Sequence, residues 1–103
     1  MKVYNKLVRD KIPQVIKSKG GECKTEILDN DRYLAELNKK LLEETNEYLE
    51  SGDIMEVCDI LEVMRAIIRA KGYSLEEVEK LRQEKADERG AFNDKIFLIS
   101  TND

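Results

Sequence analysis

The sequence predicts an all-α fold in which a helical hairpin and a third long helix form a four-helix-bundle-type core that is completed by oligomerisation. Three segments place apolar residues at the three- and four-residue spacing of one helix face, and each segment ends at a glycine, where helices commonly stop. The 103 residues are 41% hydrophobic and 39% charged. A small hydrophobic core combined with such a high charged fraction is typical of helical domains that complete their core by association. We expect residues 1–103 to form a single helical domain.

The N-terminal region is predicted to contain one short helix and one minor strand. The helix covers residues 9–19, with Pro13 early in it, where proline is tolerated, and the glycine pair at 20–21 stops it. Residues 22–28 alternate weakly between polar and apolar side chains, which predicts a short strand.

The hairpin follows as two long helices joined by a tight turn. The "DND" at residues 29–31 supplies N-cap candidates for a helix from about residue 32 to 50. The "SGD" that follows breaks this helix, because Gly52 can end it and Asp53 can cap the next. The second helix is predicted over about residues 54–71 and carries apolar side chains around most of its circumference, so we expect it to be buried on most sides.

The third long helix is predicted over about residues 75–89. Ser74 followed by Glu77 forms a capping box at its start, and Gly90 ends it. The apolar run "KIFLIS" at residues 95–100 is predicted to be a second minor strand or an apolar tail.

Charge and composition exclude several classes of function. The net charge of −4 gives no field-driven attraction to a nucleic-acid polymer or to a membrane. No apolar run is long enough to span a bilayer, and no signal segment opens the chain, so a cytoplasmic location is expected. The two cysteines, Cys23 and Cys58, lie far apart without a CxxC motif and are expected to be reduced thiols.

The chain contains no histidine, which limits both its catalytic and its metal chemistry. Ser-His-Asp and Cys-His catalytic systems and a zinc site are excluded. Any metal is therefore held by oxygen, which points to magnesium, manganese or calcium.

Seven carboxylates crowd into residues 43–59, and they occupy different faces of the two hairpin helices. On a helical wheel, Glu44 lies at the edge of the apolar stripe of the first helix, with Glu47 one turn later. Glu56 and Asp59 fall among apolar positions of the second helix. Burying an unpaired carboxylate is costly, so these acids require a partner.

The hairpin brings the acids to matching levels. Glu44 and Asp59 are equally far from the turn in sequence, and so are Glu47 and Glu56. Four carboxylates would converge on one patch, where a divalent cation relieves their mutual repulsion. Salt bridges to Lys or Arg of another helix are the alternative, and a solvated face is the ordinary explanation for any single glutamate. Glu43 is a further candidate, as an extra ligand or as a base.

Basic residues of the third helix offer a match for phosphate. Lys85 and Arg89 continue the apolar stripe of this helix towards its C-terminus, where the helix dipole also favours cations. Arginine suits bidentate phosphate contacts and lysine acts as a point charge. Near the N-terminus, Lys6 and Arg9 form either a second phosphate clamp or ordinary solubilising charge. An acidic metal site beside basic side chains is what phosphoryl chemistry requires.

Three blocks of the chain resemble a known family. "EETNE" followed by "EVCD" is similar to the ExxE…ExxD motif of the MazG-like all-α nucleoside triphosphate pyrophosphohydrolases. "YNKLVRDKIP" and "EKADERGAFNDKIFL" resemble the opening and closing signatures of a small phosphoribosyl-ATP pyrophosphohydrolase-like subgroup. The resemblance covers nearly the whole chain, although the gap between Glu47 and Glu56 is short compared with many relatives and leaves little loop to contact a base.

The resemblance implies an enzyme, a nucleotide pyrophosphohydrolase that depends on Mg²⁺, with Mn²⁺ as a substitute. By this resemblance, Glu44, Glu47, Glu56 and Asp59 would bind the metal, and Lys85 and Arg89 would bind the triphosphate. We expect Glu47 or Glu43 to act as the base that activates water. A (deoxy)nucleoside triphosphate would be hydrolysed between its α and β phosphates by a homodimer or homotetramer, in nucleotide-pool housekeeping. Phosphoribosyl-ATP as substrate is one alternative, and a non-enzymatic helical interaction module is another.

Overall fold

The computed structural model describes residues 2–102 and confirms the all-α class. Its helices are α1 (Ile12–Ser18), α2 (Asn30–Ser51), α3 (Ile54–Ala70) and α4 (Leu75–Arg89). None of the helices in this part of the chain combines the length and the apolarity that a membrane crossing requires.

Local capping chemistry defines both ends of the turn between α2 and α3. Gly52 adopts a left-handed conformation with φ 66°, and its N–H donates to the Tyr48 carbonyl at 2.7 Å. The Asp53 side chain accepts from the Met55 N–H at 2.9 Å and so caps α3. Asp29 caps the other end of α2 in the same way, through the N–H of Arg32. The predicted hairpin is therefore present, and α2 begins two residues earlier than predicted.

The left-handed Gly52 gives a testable contribution to stability. Gly52→Ala is expected to lower the free energy of unfolding by about 1 kcal/mol, because L-amino acids, unlike achiral glycine, are strained in the left-handed region. A Cβ at Gly52 would meet no atom within 4 Å, so the cost is conformational and not steric. Urea denaturation at one fixed protein concentration measures it. Asn46→Ala, an exposed substitution within α2, is the control, and equal stability of the two variants would contradict the prediction.

The remaining helices follow their own local signals. Ser74 and Glu77 form the predicted capping box, and α4 has the predicted bounds. The predicted helix at residues 9–19 is shorter in the structure, because Pro13 lies in its first turn and the ring of a proline clashes with the carbonyl four residues before it. Among the described helices, α2 packs against α3 and α4 packs against α3 alone.

The two predicted minor strands are wrong. Residues 22–28 and 95–100 are irregular, and no strand occurs within residues 2–102. A strand is stable only when a neighbour takes up its backbone N–H and C=O groups, and neither segment has one in the described chain. Ile27, in the first of these segments, is 98% exposed. Phe97, in the second, is 87% exposed, so residues 95–100 form an apolar tail, the alternative that the sequence also predicts for them.

The core of the described chain is small and lies between α2 and α3. Its buried apolar side chains are Leu37, Val63 and Ile67. Leu7 of the N-terminal segment packs against them from outside the helices. The molecule is elongated, with extents of 62 × 32 × 24 Å and a radius of gyration of 18.3 Å, whereas a compact chain of this length has a radius of about 13 Å. The expectation that α3 is buried on most sides is therefore not met by the single chain, since Leu61 is 57% exposed.

Candidate metal centre

Glu44 is the buried carboxylate of the hairpin. It follows Leu37 by seven residues and Leu41 by three, so it lies on the face of α2 that packs against α3. Only 7% of Glu44 is exposed. The wheel placed this residue at the edge of the apolar stripe, and the structure encloses it.

The hairpin groups its acids around Glu44. Carboxylate oxygens of Glu44, Glu56 and Asp59 all lie within 4.8 Å of one another, across the interface of α2 and α3. A second group along α2, within the same distance, is formed by Glu43, Glu44 and Glu47. Glu44 thus belongs to both groups, whereas Glu47 belongs only to the second. Glu56 and Asp59 are half-buried and Glu47 is exposed at the rim.

The electrostatics around Glu44 are unfavourable without a further cation. Its Oε2 is buried and has no hydrogen-bond partner among residues 2–102. Its Oε1 lies 3.4 Å from Lys40 Nζ, four residues earlier on the same helix. Burial raises the pKa of the Glu44 carboxyl above its ordinary value, and the nearby Glu47 carboxylate raises this pKa further, while Lys40 lowers it.

Two cations of the N-terminal segment already contact the acids. Arg9 Nη2 lies 2.8 Å from Asp59 Oδ1, and Lys6 Nζ lies 3.5 Å from Glu43 Oε1. These residues were predicted as a phosphate clamp or as solubilising charge. The structure shows that both reach the acidic cluster, where they act as counter-ions to the carboxylates.

Lys85 and Arg89 are not brought to the acids within one chain. Both are exposed on α4, which packs against α3 and not against α2. Within residues 2–102, neither forms an ion pair with the hairpin carboxylates. Arg89 instead borders an open groove of about 400 Å³ that is lined by residues 89–96 and contains none of these acids.

The sequence prediction missed two residues that shape the centre. Lys40 precedes Glu44 by four residues, a spacing at which oppositely charged side chains meet on a helix, and this signal was available in the sequence. Leu7 lies between Lys6 and Arg9 and packs on the core. No local pattern indicates that contact, because it depends on how the N-terminal segment folds back.

The residues present fit a hard divalent cation. The donors are all carboxylate oxygens, which magnesium and manganese prefer. Glu44 Oε2 is a buried acceptor that lacks a hydrogen-bond donor, and such a group is costly in a folded protein unless something binds it.

Comparison of the chain with protein-family models, with curated proteins and with solved structures yields no match. We therefore infer the function from the chemistry of these residues, and the resemblance of the three sequence blocks remains a hypothesis.

Proposed function

We propose that this protein is a magnesium-dependent nucleotide pyrophosphohydrolase that cleaves a (deoxy)nucleoside triphosphate between its α and β phosphates. The observation that carries the proposal is the buried Oε2 of Glu44, which has no hydrogen-bond partner within residues 2–102, on a carboxylate that is grouped with those of Glu56 and Asp59 from the facing helix. Three carboxylates this close repel one another, and a bound divalent cation removes that cost. Mg²⁺ in proteins is most often held by a few carboxylates together with phosphate oxygens of a substrate.

The chain's own residues supply the remaining parts of the reaction. Glu44, Glu56 and Asp59 would hold the metal, with Glu47 as a fourth ligand at the rim. The metal, when bound, neutralises phosphate charge and polarises water. Glu47 or Glu43 would accept the proton of the attacking water. The water oxygen forms a new bond to the α or the β phosphorus, and the bond from that phosphorus to the bridging oxygen breaks. The products are a nucleoside monophosphate and inorganic diphosphate.

The decisive experiment measures diphosphate release from a panel of (d)NTPs and phosphoribosyl-ATP, with Mg²⁺, with Mn²⁺ and with EDTA. We expect diphosphate from at least one nucleotide in the presence of metal and none with EDTA. Release from phosphoribosyl-ATP alone would favour the narrower substrate. No diphosphate from any nucleotide would overturn the proposal.

We also propose that the protein acts as a homodimer or homotetramer, because a single chain leaves too much surface exposed. A compact monomer of 12.0 kDa exposes about 6,000 Å², and this chain exposes 9645 Å². The excess of about 3,600 Å² per chain equals about 7,200 Å² over two copies, which is above the roughly 2,000–5,000 Å² that a typical obligate interface buries, so association can cover much of this excess surface. Exposed apolar side chains also recur at heptad spacing on each hairpin helix, with Leu42 and Leu49 on α2 and Ile54 and Leu61 on α3.

Breaking these apolar stripes is expected to dissociate the oligomer. Leu49→Glu and Leu61→Glu each place a charge where apolar packing is proposed, and an unpaired buried charge is strongly unfavourable. Size-exclusion chromatography with light scattering should show the wild type as a dimer or tetramer and the variants as monomers. Ile27→Glu is the matched control, since Ile27 is 98% exposed and lies outside the hairpin. A monomeric wild type would contradict the expectation.

A non-enzymatic helical module remains the rival function, and one observation favours it. Arg9 and Lys40 already pair with Asp59 and Glu44, so part of the acidic charge is balanced by the chain itself. That function requires neither metal nor nucleotide. A thermal shift with Mg²⁺ and a non-hydrolysable nucleotide separates the two, because ligands that bind only the folded state raise its stability. An unchanged melting temperature favours the module.

A further inference from the structure

The N-terminal segment lies over the acidic cluster as a cationic strap, which we define as residues 5–10. Leu7 packs against the core and fixes the strap to the hairpin. On either side of it, Lys6 reaches Glu43 of α2 and Arg9 reaches Asp59 of α3. The strap therefore contacts both helices of the hairpin through residues that are 37 and 50 positions away in sequence.

The strap contacts one carboxylate that the proposed metal site uses, that of Asp59, while Lys6 contacts the neighbouring Glu43. Arg9 Nη2 is 2.8 Å from Asp59 Oδ1, so this oxygen already has a cationic partner. Glu44 is in the same group, and its Oε2 has no hydrogen-bond partner within residues 2–102. A divalent cation held by Glu44, Glu56 and Asp59, through either oxygen of Asp59, would lie close to the Arg9 guanidinium and be repelled by its charge. At Glu44 Oε2 the same cation displaces no hydrogen-bond partner of the described chain.

The contact between Arg9 and Asp59 is well suited to exchange. Their side chains are 58% and 37% exposed, and ion pairs with this much solvent contact contribute little to stability. The guanidinium of Arg9 is planar and can donate two parallel hydrogen bonds, which two oxygens of a phosphate accept as well as those of a carboxylate do. Because Leu7 is packed on the core two residues away, Arg9 stays close to the centre after it leaves Asp59.

We propose that the strap is an exchangeable counter-ion, in which Arg9 moves from Asp59 to a phosphate of the ligand when a divalent cation enters the acidic cluster. The proposal rests on the metal centre of the proposed function. Arg9 then disfavours binding of the free metal and favours binding of the metal together with a polyphosphate. By linkage, Arg9 makes the metal and the polyphosphate bind more favourably together than separately.

Arg9→Gln tests the exchange, because it should strengthen binding of the metal alone and weaken binding of a polyphosphate to the metal-loaded protein. Electron paramagnetic resonance of free Mn²⁺ measures binding of the metal alone. Tripolyphosphate, which carries the phosphate chain without a base, is then titrated into the Mn²⁺-saturated protein by isothermal titration calorimetry, with Mn²⁺ in excess in both solutions because tripolyphosphate itself chelates the ion. Without Arg9 we expect Mn²⁺ alone to bind about two- to fivefold more tightly, the size expected from removing one exposed competing ion pair. We expect tripolyphosphate to bind the Mn²⁺-loaded protein about tenfold or more weakly, since a charge-assisted contact is lost.

Arg32→Gln is the matched control. Arg32 pairs with Glu26 at 3.2 Å, and their side chains are 60% and 68% exposed, so this substitution also breaks an exposed ion pair while leaving the acidic cluster unchanged. We expect both affinities of this variant to match those of the wild type.

Each other outcome overturns the exchange. If Arg9→Gln weakens both affinities, Arg9 is a structural support for the strap. If it changes neither, the contact with Asp59 has no role in binding. In both cases Mn²⁺ still binds the wild type, so the metal centre stands and only the exchange falls. If the wild type binds no Mn²⁺, the metal centre and the exchange fall together.

Discussion

Glu44→Gln is expected to lower the rate of magnesium-dependent diphosphate release by about a hundredfold or more. Glu44 belongs to both carboxylate groups, so its loss leaves neither group complete. A metal contributes several kcal/mol to phosphoryl chemistry, and about 1.4 kcal/mol corresponds to a factor of ten in rate. The same variant should lose any rise in melting temperature that Mg²⁺ gives the wild type. Diphosphate release and a thermal shift with Mg²⁺ measure the two effects.

In the metal-free protein, Glu44→Gln is expected to increase the stability of the fold. An unsatisfied buried acceptor costs about 1–3 kcal/mol, so neutral Gln at this position should raise the free energy of unfolding at pH 7 by about 1 kcal/mol. The sign of the pH dependence follows from the pKa of Glu44, which is raised in the folded chain. Its protonation stabilises the fold fully below the unfolded pKa, and this stabilisation is lost as the pH rises through the folded pKa.

Urea denaturation in EDTA at a series of pH values tests this sign. The wild type should lose stability relative to Glu44→Gln as the pH rises above 4.5, the ordinary pKa of a glutamate carboxyl. Glu62→Gln is the control, because Glu62 is an exposed acid of α3 outside both carboxylate groups. A Glu44→Gln variant that is less stable than the wild type without metal would show that this carboxylate is a structural group. Unchanged diphosphate release in Glu44→Gln would remove Glu44 from the site.

The parts of the fold that were predictable depend on local chemistry. Gly52 ends α2 because it adopts a left-handed conformation that other residues avoid, and Asp53 starts α3 because its carboxylate reaches an N–H two residues later. The capping box of Ser74 and Glu77 works over three residues in the same way. Such interactions are complete within a few residues, so their partners can be read directly from the sequence.

Burial was less predictable, because it depends on how two helices pack. The helical wheel placed Glu56 and Asp59 deeper than Glu44, yet Glu44 is the buried acid and the other two are half-buried. A wheel gives directions around one helix, whereas burial depends on which side the neighbouring helix covers. For α3, apolar residues face more directions than α2 and α4 together cover, which leaves Leu61 exposed in the single chain.

The strap was the part of the centre that spacing could not predict. Lys6 and Arg9 were recognised as cations, but their partners lie 37 and 50 residues away. Local rules for charge pairs apply to residues three or four positions apart on one helix. Leu7, the apolar residue between them, gives the physical reason for the contact, since its packing on the core brings both cations to the acids.

Co-expression of two inactive variants is expected to restore activity, because Lys85 and Arg89 do not meet the acids of their own chain. Asp59→Asn removes an acid, and the double substitution Lys85→Ala with Arg89→Ala removes the α4 cations. If α4 of one copy serves the acids of another, random mixing gives about one quarter of the sites an intact acidic cluster and intact cations. Each variant alone should retain about a tenth or less of the wild-type rate, because contacts to charged groups contribute about 1.5–3 kcal/mol.

Co-expression of Asp59→Asn with Glu44→Gln is the matched control for this experiment. Both changes damage the acidic cluster, whose members come from α2 and α3 of one chain, so no mixed assembly contains a complete cluster. Activity in the first pair and not in the second requires that the cations act between chains. Absence of activity from both pairs, in assemblies shown to contain both variants, would mean that α4 serves its own chain. Because α4 packs only against α3 in the described chain, it would then have to move towards the acids when substrate binds.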